Sequence, residues 1–338
     1  MKSIAKILLS VVVSVVAVAC GPSTTKPTAS QFKIFCDESV ENILRQEVEV
    51  YEIKYPGVRI SPVYTDERTI LDSINAFKAR VAFVPSELSD AQKRILKAND
   101  KNYYCVPMAV DAVAIIAHKD NPVIMLSVKQ LGEILTGKVK DWNEISPSSM
   151  GEIKVVFDNE GSSTVRYMLE KVTGRKPFGK NIYAQKTNKE VFRAVQANKG
   201  AIGIIGVSWL SCDLSDIAKC HNYSQNEIDE LEKAQLNHNI YSEELATDSV
   251  DYSKTIQVIP IRRNDSPYPY KPYQLDIYTG DYPLFRTIYA ICTAPAGTPE
   301  HAFCRFITSI PGQKVLLNTG VLPSNMPPAR SVNIVMDE

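Results

Sequence analysis

The sequence lacks an excess of charge of either sign. Its 338 residues contain 38 lysines and arginines against 38 aspartates and glutamates, so the formal net charge is zero. Proteins that bind nucleic acid through its phosphates need a basic face, and this balance argues against a nucleic-acid partner. After its first 20 residues the chain also lacks an apolar run of about 20 residues, the length that a membrane-spanning helix requires. Any membrane attachment is therefore expected at the N-terminus.

Motifs of the common enzyme classes are also scarce. The chain has only four histidines, none in a recognisable catalytic pattern, and its cysteines lack the spacing of zinc ligands. Gly-rich nucleotide motifs are absent, and the serines around Ser162 lack the G-x-S-x-G elbow. We expect no catalytic residues, no metal and no cofactor. A serine hydrolase stays open as an alternative, because a Ser-His-Asp triad is defined by geometry rather than by spacing.

The N-terminus is typical of a secretory signal. Lys2 and Lys6 precede a short apolar run over residues 7–19, which is too short to span a bilayer comfortably. The run ends at Cys20, followed by Gly21, in the arrangement of a bacterial lipoprotein cleavage site, although Ala17 stands where leucine is more usual. The sequence predicts an exported, periplasm-facing protein anchored by a lipid on Cys20 to the inner or the outer membrane.

The cysteines after position 20 allow one disulfide prediction. An exported compartment permits disulfides, and Cys212 and Cys220 lie close together in a polar stretch. Cys36, Cys105 and Cys292 lie in apolar runs that are equally compatible with buried free thiols.

Strand and helix patterns alternate along most of the chain. Residues 32–36 form an apolar, strand-like run, and residues 39–54 follow with the apolar spacing of a helix. The β-branched run 106–117 is long enough to cross between two lobes. Repeated units of this kind predict an α/β architecture. The acidic, polar segment 211–254 interrupts the pattern and is interpreted as a surface insertion.

Four sequence blocks together resemble one family. They are LGEILTGKVKDW at residues 131–142, GAIGIIG at 200–206, YPLFR at 282–286 followed by Tyr289, and a Gly-Gln…Gly-x-Leu-Pro ending at 312–323. In this order they resemble the phosphate-binding proteins of ABC importers, which are two-lobed periplasmic solute-binding proteins.

The resemblance implies a type II periplasmic-binding-protein fold, in which each lobe is a mixed sheet flanked by helices and the ligand lies in the cleft. We expect a signal peptide over 1–20 and a flexible tether over 21–31. Lobe 1 is expected over 32–108 plus 285–330, and lobe 2 over 109–284.

The resemblance also implies a function. The protein is expected to capture phosphate or a similar small oxyanion, to act as a monomer, and to deliver the ligand to the permease subunits of an ABC importer. A lipoprotein that senses the same ligand without transport is the alternative.

Three strand-to-helix junctions are the candidate walls of the cleft, because ligands of open α/β sheets bind beyond the carboxyl ends of the strands. They lie at residues 37–40, 65–69 and 158–164, and Ser86 follows a further strand. The third junction resembles the ligand loop of the family, with Ser163 in place of a glycine. The candidate ligand-binding residues are Ser39, Arg68, Ser86, Glu160, Gly161, Ser162, Ser163, Thr164 and Arg166.

The third junction also departs from the family pattern. Asp158 stands where the family has an arginine two residues before the acidic position. Junctions rich in Asp and Glu repel an anion unless a cation compensates. Arg68 and Arg166 are the candidates for that cation.

Overall fold

The structure is a computed structural model that describes residues 30–210 and 255–325. Several predictions lie outside these residues: the signal and lipidated Cys20, the tether up to residue 29, the acidic insertion, and the Cys212–Cys220 pair. Within the described ranges no helix is both long and apolar enough to cross a bilayer.

The described residues contain thirteen strands and nine α-helices. The strands are β1 (Ser30–Asp37), β2 (Val58–Thr65), β3 (Val81–Val84), β4 (Tyr104–His118), β5 (Leu126–Ser127), β6 (Lys154–Phe157), β7 (Ile182–Ala184), β8 (Ala201–Gly206), β9 (Ile256–Val258), β10 (Ile261–Arg262), β11 (Pro269–Tyr270), β12 (Phe285–Cys292) and β13 (Leu322–Pro323). The helices are α1 (Glu41–Lys54), α2 (Glu67–Asn75), α3 (Asp90–Ala98), α4 (Val128–Leu135), α5 (Ser163–Tyr167), α6 (Asn188–Ala197), α7 (Gln274–Tyr278), α8 (Pro299–Ile307) and α9 (Ile310–Asn318).

The main sheet follows the order β2-β1-β3-β12-β4-β8-β6-β7. In its first half β1 runs parallel to β2 and β3, and β12 is antiparallel to β3 and β4. In its second half β6 is parallel to β7 and β8, while β4 is antiparallel to β8. Each half is therefore a mixed sheet, as the resemblance implied.

Strand β4 joins the two halves. Its residues up to Ala112 pair with β12, and its residues from Val113 pair with β8 and β9. The strand is apolar and buried along most of its length, because both of its faces are covered where it passes from one half to the other. The predicted crossing run 106–117 is confirmed.

Helix α1 is placed by an apolar face and by its entry turn. Leu44, Val48 and Tyr51 recur at helical spacing and are buried, and the Tyr51 ring lies 5.0 Å from the rings of both Phe303 and Phe306. The helix was expected to begin at Ser39, but a 3-10 turn over Glu38–Val40 precedes it. This turn directs Ser39 into the interior.

The four cysteines in the described residues, Cys36, Cys105, Cys292 and Cys304, are free thiols. Burial raises the pKa of the Cys36 thiol well above its usual range, which makes it less reactive, because the thiolate is the nucleophile.

Glu47 is a buried carboxyl on the core face of α1. It is fully buried, and neither of its oxygens has a hydrogen-bond partner among the described residues. Burial raises its pKa well above the ordinary glutamate value. The folded chain therefore keeps a proton here that the unfolded chain releases.

Replacing Glu47 with methionine is expected to raise the free energy of unfolding near neutral pH by about 1–3 kcal/mol, the cost of an unpaired buried polar group. Because the folded pKa is raised, wild-type stability falls as pH rises from the unfolded pKa of glutamate through the folded one. The variant lacks this fall. Urea unfolding at about pH 5 and about pH 8 measures both effects.

Glu49→Met is the matched control, because Glu49 is exposed on the same helix. Surface substitutions usually change stability by less than about 0.5 kcal/mol. Two results together would contradict the unpaired, protonated state of Glu47. The Glu47 variant would gain no more free energy of unfolding than the Glu49 variant, and its stability would change with pH as that of the wild type does.

Candidate ligand-binding site

The two halves of the sheet meet at a polar cluster. Residues 37–39 lie at the carboxyl end of β1 in the first half, and residues 158–164 follow β6 in the second half. Between them Arg286 on β12 is the register partner of Asp111 on β4. Segments distant in sequence therefore bring their polar side chains together where β4 passes between the halves.

The Arg286 guanidinium is the centre of this cluster. It is only 5% exposed, and its Nε and Nη2 donate to Oδ2 of Asp111 at 3.1 and 2.9 Å. Nη2 also donates to Ser39 Oγ at 2.9 Å. Nη1 donates to Ser163 Oγ at 3.1 Å and to Thr164 Oγ1 at 3.2 Å. One cation thus holds hydroxyl groups from both halves.

Strand alternation explains the burial of Arg286. In β12 the side chains of Arg286, Ile288 and Ala290 are buried, with Thr287 and Tyr289 between them less so, as the two-residue period of a strand requires. A buried guanidinium needs a charged, hydrogen-bonded partner, and Asp111 is that partner.

Asp37 is the second carboxyl of the cluster. Its Oδ1 accepts from the Ser39 backbone N–H at 3.0 Å, from Ser163 Oγ at 2.8 Å, and from the Ser39 hydroxyl, whereas its buried Oδ2 has no partner among the described residues. Burial raises the pKa of Asp37 to about 6, against the opposing effects of Arg286 and of the two hydroxyls.

Asp158 is the third buried carboxyl. It is fully buried, and neither oxygen has a partner at hydrogen-bonding geometry within the described residues, although the Ser162 hydroxyl lies close enough to oppose the effect of burial. Burial raises the pKa of Asp158, and it also raises that of Asp111 against the effect of Arg286. The cluster therefore contains more buried carboxyl groups than buried cations.

Ser39 is also held from the second half of the sheet. Trp209 Nε1 donates to the Ser39 carbonyl at 3.2 Å. A Cβ on Gly206 would lie 3.1 Å from Oδ2 of Asp111 and 3.2 Å from the same carbonyl, closer than most such contacts. Glycine at this position, inside the GAIGIIG block, lets the two halves approach.

Two further contacts close the cleft beside the cluster. Arg166 clamps Glu67, with its Nε 2.5 Å and its Nη2 3.0 Å from the two carboxylate oxygens. It also contacts Glu170 at 3.2 Å. Asn159 Nδ2 donates to Glu38 Oε2 at 2.6 Å. These bonds join the loop after β6 to the first half of the sheet.

The predicted site residues divide into three groups. Ser39, Ser163 and Thr164 meet at Arg286. The hydroxyls of Ser162 and Ser86 are not hydrogen-bonded to Arg286. Ser162 Oγ accepts from the Val165 N–H at 3.2 Å and so caps α5. Ser86 Oγ is buried without a partner in the described residues. The structure does not bring the exposed residues Arg68, Glu160 and Gly161 to the guanidinium, and Arg166 is committed to Glu67.

Sequence reasoning missed Arg286, Asp111 and Asp37 as site residues. A usable signal was present, because Arg286 is the only charged residue in the strand FRTIYAIC and Asp111 the only one in the apolar run 106–117. A buried charge is nearly always paired, so a single positive charge in one buried strand and a single negative charge in another are expected to be partners. Arg286 also lies inside the YPLFR block on which the resemblance rests.

Two mixed sheets linked by a crossing strand, with a polar cluster between them, define a two-lobed ligand-binding protein. The chain belongs to the PBP superfamily, whose domain model matches residues 21–310. It is 21% identical over 305 residues to the phosphate-binding protein PstS of Pseudomonas aeruginosa, covering 85% of this chain and 80% of that one. A shorter match, 29% identical over 126 residues, covers 36% of this chain and 38% of PstS from Staphylococcus saprophyticus.

Solved structures show the same fold. A candidate phosphate ABC transporter substrate-binding protein from Clostridium perfringens, crystallised with phosphate, superposes with a TM-score of 0.66 at 20% identity, over 88% of this chain and all of that one. An ABC-type phosphate transport receptor from Vibrio cholerae gives 0.59 at 18% identity, over 87% of this chain and all of that one. The predicted fold class is confirmed, and these relatives are binding proteins rather than enzymes.

Proposed function

We propose that this protein captures a small oxyanion, with phosphate as the first candidate, and delivers it to an ABC importer. The observation that carries the proposal is the Arg286 guanidinium, buried between the two halves and in contact with three hydroxyls. Hydrogen bonds from charged donors to oxyanions are short and strong, and they strengthen where water is excluded. The relatives named as phosphate-binding proteins support the same ligand class.

Arg286 is also the cation that the loop after β6 lacks. The sequence has Asp158 where the family pattern has an arginine, and it offered Arg68 and Arg166 as replacements. Arg68 is exposed and Arg166 is paired with Glu67, whereas Arg286 reaches the hydroxyls of this loop from β12. We assign the direct ligand contacts to the hydroxyls of Ser39, Ser163 and Thr164, with the Arg286 charge directly behind them.

Capture then follows from movement of the two halves. We assign residues 32–108 plus 285–330 to lobe 1 and residues 109–284 to lobe 2, with β4 as one connection. Opening about the connections admits the ligand, and closure brings Ser39 of lobe 1 and Ser163 of lobe 2 around it. The Arg166–Glu67 and Asn159–Glu38 bonds stabilise the closed form. Ser86, Glu160 and Gly161 remain candidates for contacts with the entering ligand.

Export and anchoring complete the proposal. The signal sequence and Cys20 support a lipoprotein that faces the periplasm and is anchored to the inner or the outer membrane. We propose that it acts as a monomer. Mass spectrometry of the N-terminal peptide checks the acylation, and an unmodified thiol at Cys20 would contradict it.

Isothermal titration calorimetry on the full-length protein tests the ligand class. We expect saturable binding of phosphate, and weaker or no binding of sulfate and molybdate, because the carboxyl groups of the cluster accept hydrogen bonds from a protonated ligand and repel fully ionised ones. Arsenate, which has the charge and shape of phosphate, is the positive control. Absence of heat with every one of these anions would refute the proposed ligand class and leave the fold unaffected.

A further inference from the structure

The hydroxyls of Ser39 and Ser163 are each engaged on two sides. Both accept a hydrogen bond from Arg286, and both donate to the same oxygen of Asp37. A hydroxyl has a single proton to donate. While these two protons point at Asp37, neither hydroxyl has a donor left for a ligand.

Asp37 therefore uses the donors that a bound oxyanion needs. Its Oδ1 takes three hydrogen bonds, from two hydroxyls and from one backbone N–H. Those groups, with the guanidinium behind the hydroxyls, form a typical oxyanion environment. The carboxylate belongs to the protein, and a ligand must displace it from the hydroxyls to bind.

The charges around Asp37 act against a second anion. Glu67 on α2 raises the pKa of Asp37. The neighbouring Glu38 lies within electrostatic reach of Asp37, Glu41, Asp66 and Asp158, and Asp111 accepts from the same guanidinium that holds Ser39 and Ser163. Glu67 is paired with Arg166 and Glu41 with Arg45. The three fully buried carboxyls, those of Asp37, Asp111 and Asp158, share the charge of Arg286, which is bonded to Asp111. Entry of an oxyanion beside an ionised Asp37 is therefore opposed both by charge and by the loss of donors.

We propose that Asp37 is a resident competitor for the bound oxyanion, and that ligand binding is coupled to the uptake of a proton by its carboxyl. The inference rests on the proposed function and adds its regulation by pH. The step is balanced by one proton from solvent, which converts the carboxylate to a carboxylic acid, with no other covalent change. The hydroxyls of Ser39 and Ser163 then rotate from Asp37 to the ligand, and the neutral carboxyl no longer repels it.

The direction of the pH effect follows. Burial raises the pKa of Asp37 to about 6, with Arg286, Ser39 and Ser163 acting against burial and Glu67 adding to it. An anion that arrives and takes the two hydroxyls raises this pKa further. Binding then takes up about one proton at pH values above 6, and affinity falls by up to about tenfold per pH unit there. Below this range the carboxyl is already protonated and the effect disappears.

Calorimetry with inorganic phosphate at about pH 8, in buffers that differ in heat of protonation, measures the proton uptake. The test variant is Asp37→Asn, because asparagine keeps the cap of the 3-10 turn and does not titrate. We expect this variant to take up about one proton fewer than the wild type and to bind phosphate about 10 to 100 times more tightly at pH 8, with the difference vanishing below pH 6. The ionisation of phosphate itself affects both measurements equally, so it cancels in the difference between the wild type and the variant.

Asp141→Asn is the matched control. Asp141 also caps a 3-10 turn by accepting from the N–H two residues later, at 2.9 Å, and it lies outside the cluster. It is expected to behave as the wild type does. Asp37→Ser, which also keeps a capping hydroxyl, replaces the asparagine variant if that one does not fold.

The outcomes separate the two proposals. Equal proton uptake and parallel affinity curves for the wild type and the Asp37 variant would overturn the role of Asp37 and leave oxyanion capture standing. Failure of the wild type to bind any of the four oxyanions at any pH from about 5 to about 9 would overturn the capture itself, and the role of Asp37 with it.

Discussion

Replacing Arg286 with methionine is expected to abolish phosphate binding and to lower the free energy of unfolding by about 3–5 kcal/mol, the cost of removing one partner from a buried ion pair. The variant leaves Asp111, which is fully buried, without its cation. It also removes the donors that hold Ser39, Ser163 and Thr164. Calorimetry measures the first effect and urea unfolding the second.

The double variant Asp111→Leu with Arg286→Met separates stability from binding. Because it removes both buried charges together, it is expected to recover most of the lost stability. It is not expected to recover phosphate binding, because the cation is still missing. If Arg286→Met bound phosphate with wild-type affinity, Arg286 would be a structural residue and the ligand would lie elsewhere.

Removing the hydroxyls of Ser39 and Ser163 together by alanine substitution is expected to weaken phosphate binding by about 3–6 kcal/mol. Each hydroxyl supplies one hydrogen bond to a charged oxygen, and such bonds contribute about 1.5–3 kcal/mol each. The two serines lie on opposite sides of the cleft and their oxygens are 3.1 Å apart, so both contacts depend on closure. Calorimetry at a pH of about 5.5, where the competition from Asp37 is smallest, gives the cleanest value.

Ser162→Ala is the informative comparison. The Ser162 hydroxyl accepts from the Val165 N–H, so its loss is expected to cost about 0.5–2 kcal/mol of stability as a helix cap and to leave phosphate affinity close to wild type. If the Ser162 variant instead lost as much affinity as the double variant, the ligand would contact the loop through Ser162, as the sequence pattern alone suggested.

The junction at residues 158–164 shows what could be predicted and what could not. Its hydroxyls were visible as a run of Ser and Thr at the start of a helix. The sequence pattern predicts that helix from Thr164, and in the structure it begins one residue earlier, at Ser163. Which hydroxyl faces the cleft was not visible, because consecutive residues at a helix start point in different directions. Ser162 turns back to cap the helix, and Ser163 and Thr164 turn towards Arg286.

The cation of the proposed site also could not be predicted from the local sequence, because its partners lie far away along the chain. Arg166 was proposed because it lies two residues after Thr164, but it reaches across to Glu67. Arg286 contacts Thr164 from 122 positions away in the chain, and its ion pair with Asp111 joins residues 175 positions apart. Such contacts depend on the register between β4 and β12, which no local pattern specifies.

The sequence by itself determined the α/β alternation, the crossing strand and the polar junctions, because these depend on the periodicity of apolar residues and on capping groups within a few positions of each other. Only the tertiary structure decided that Arg286, rather than Arg68 or Arg166, is the buried cation where the two halves of the sheet meet. It also decided that Asp37 takes the hydroxyl donors of Ser39 and Ser163. The physical reason is that a buried charge selects its partners by strand register and side-chain direction, and both are set when distant segments pack together.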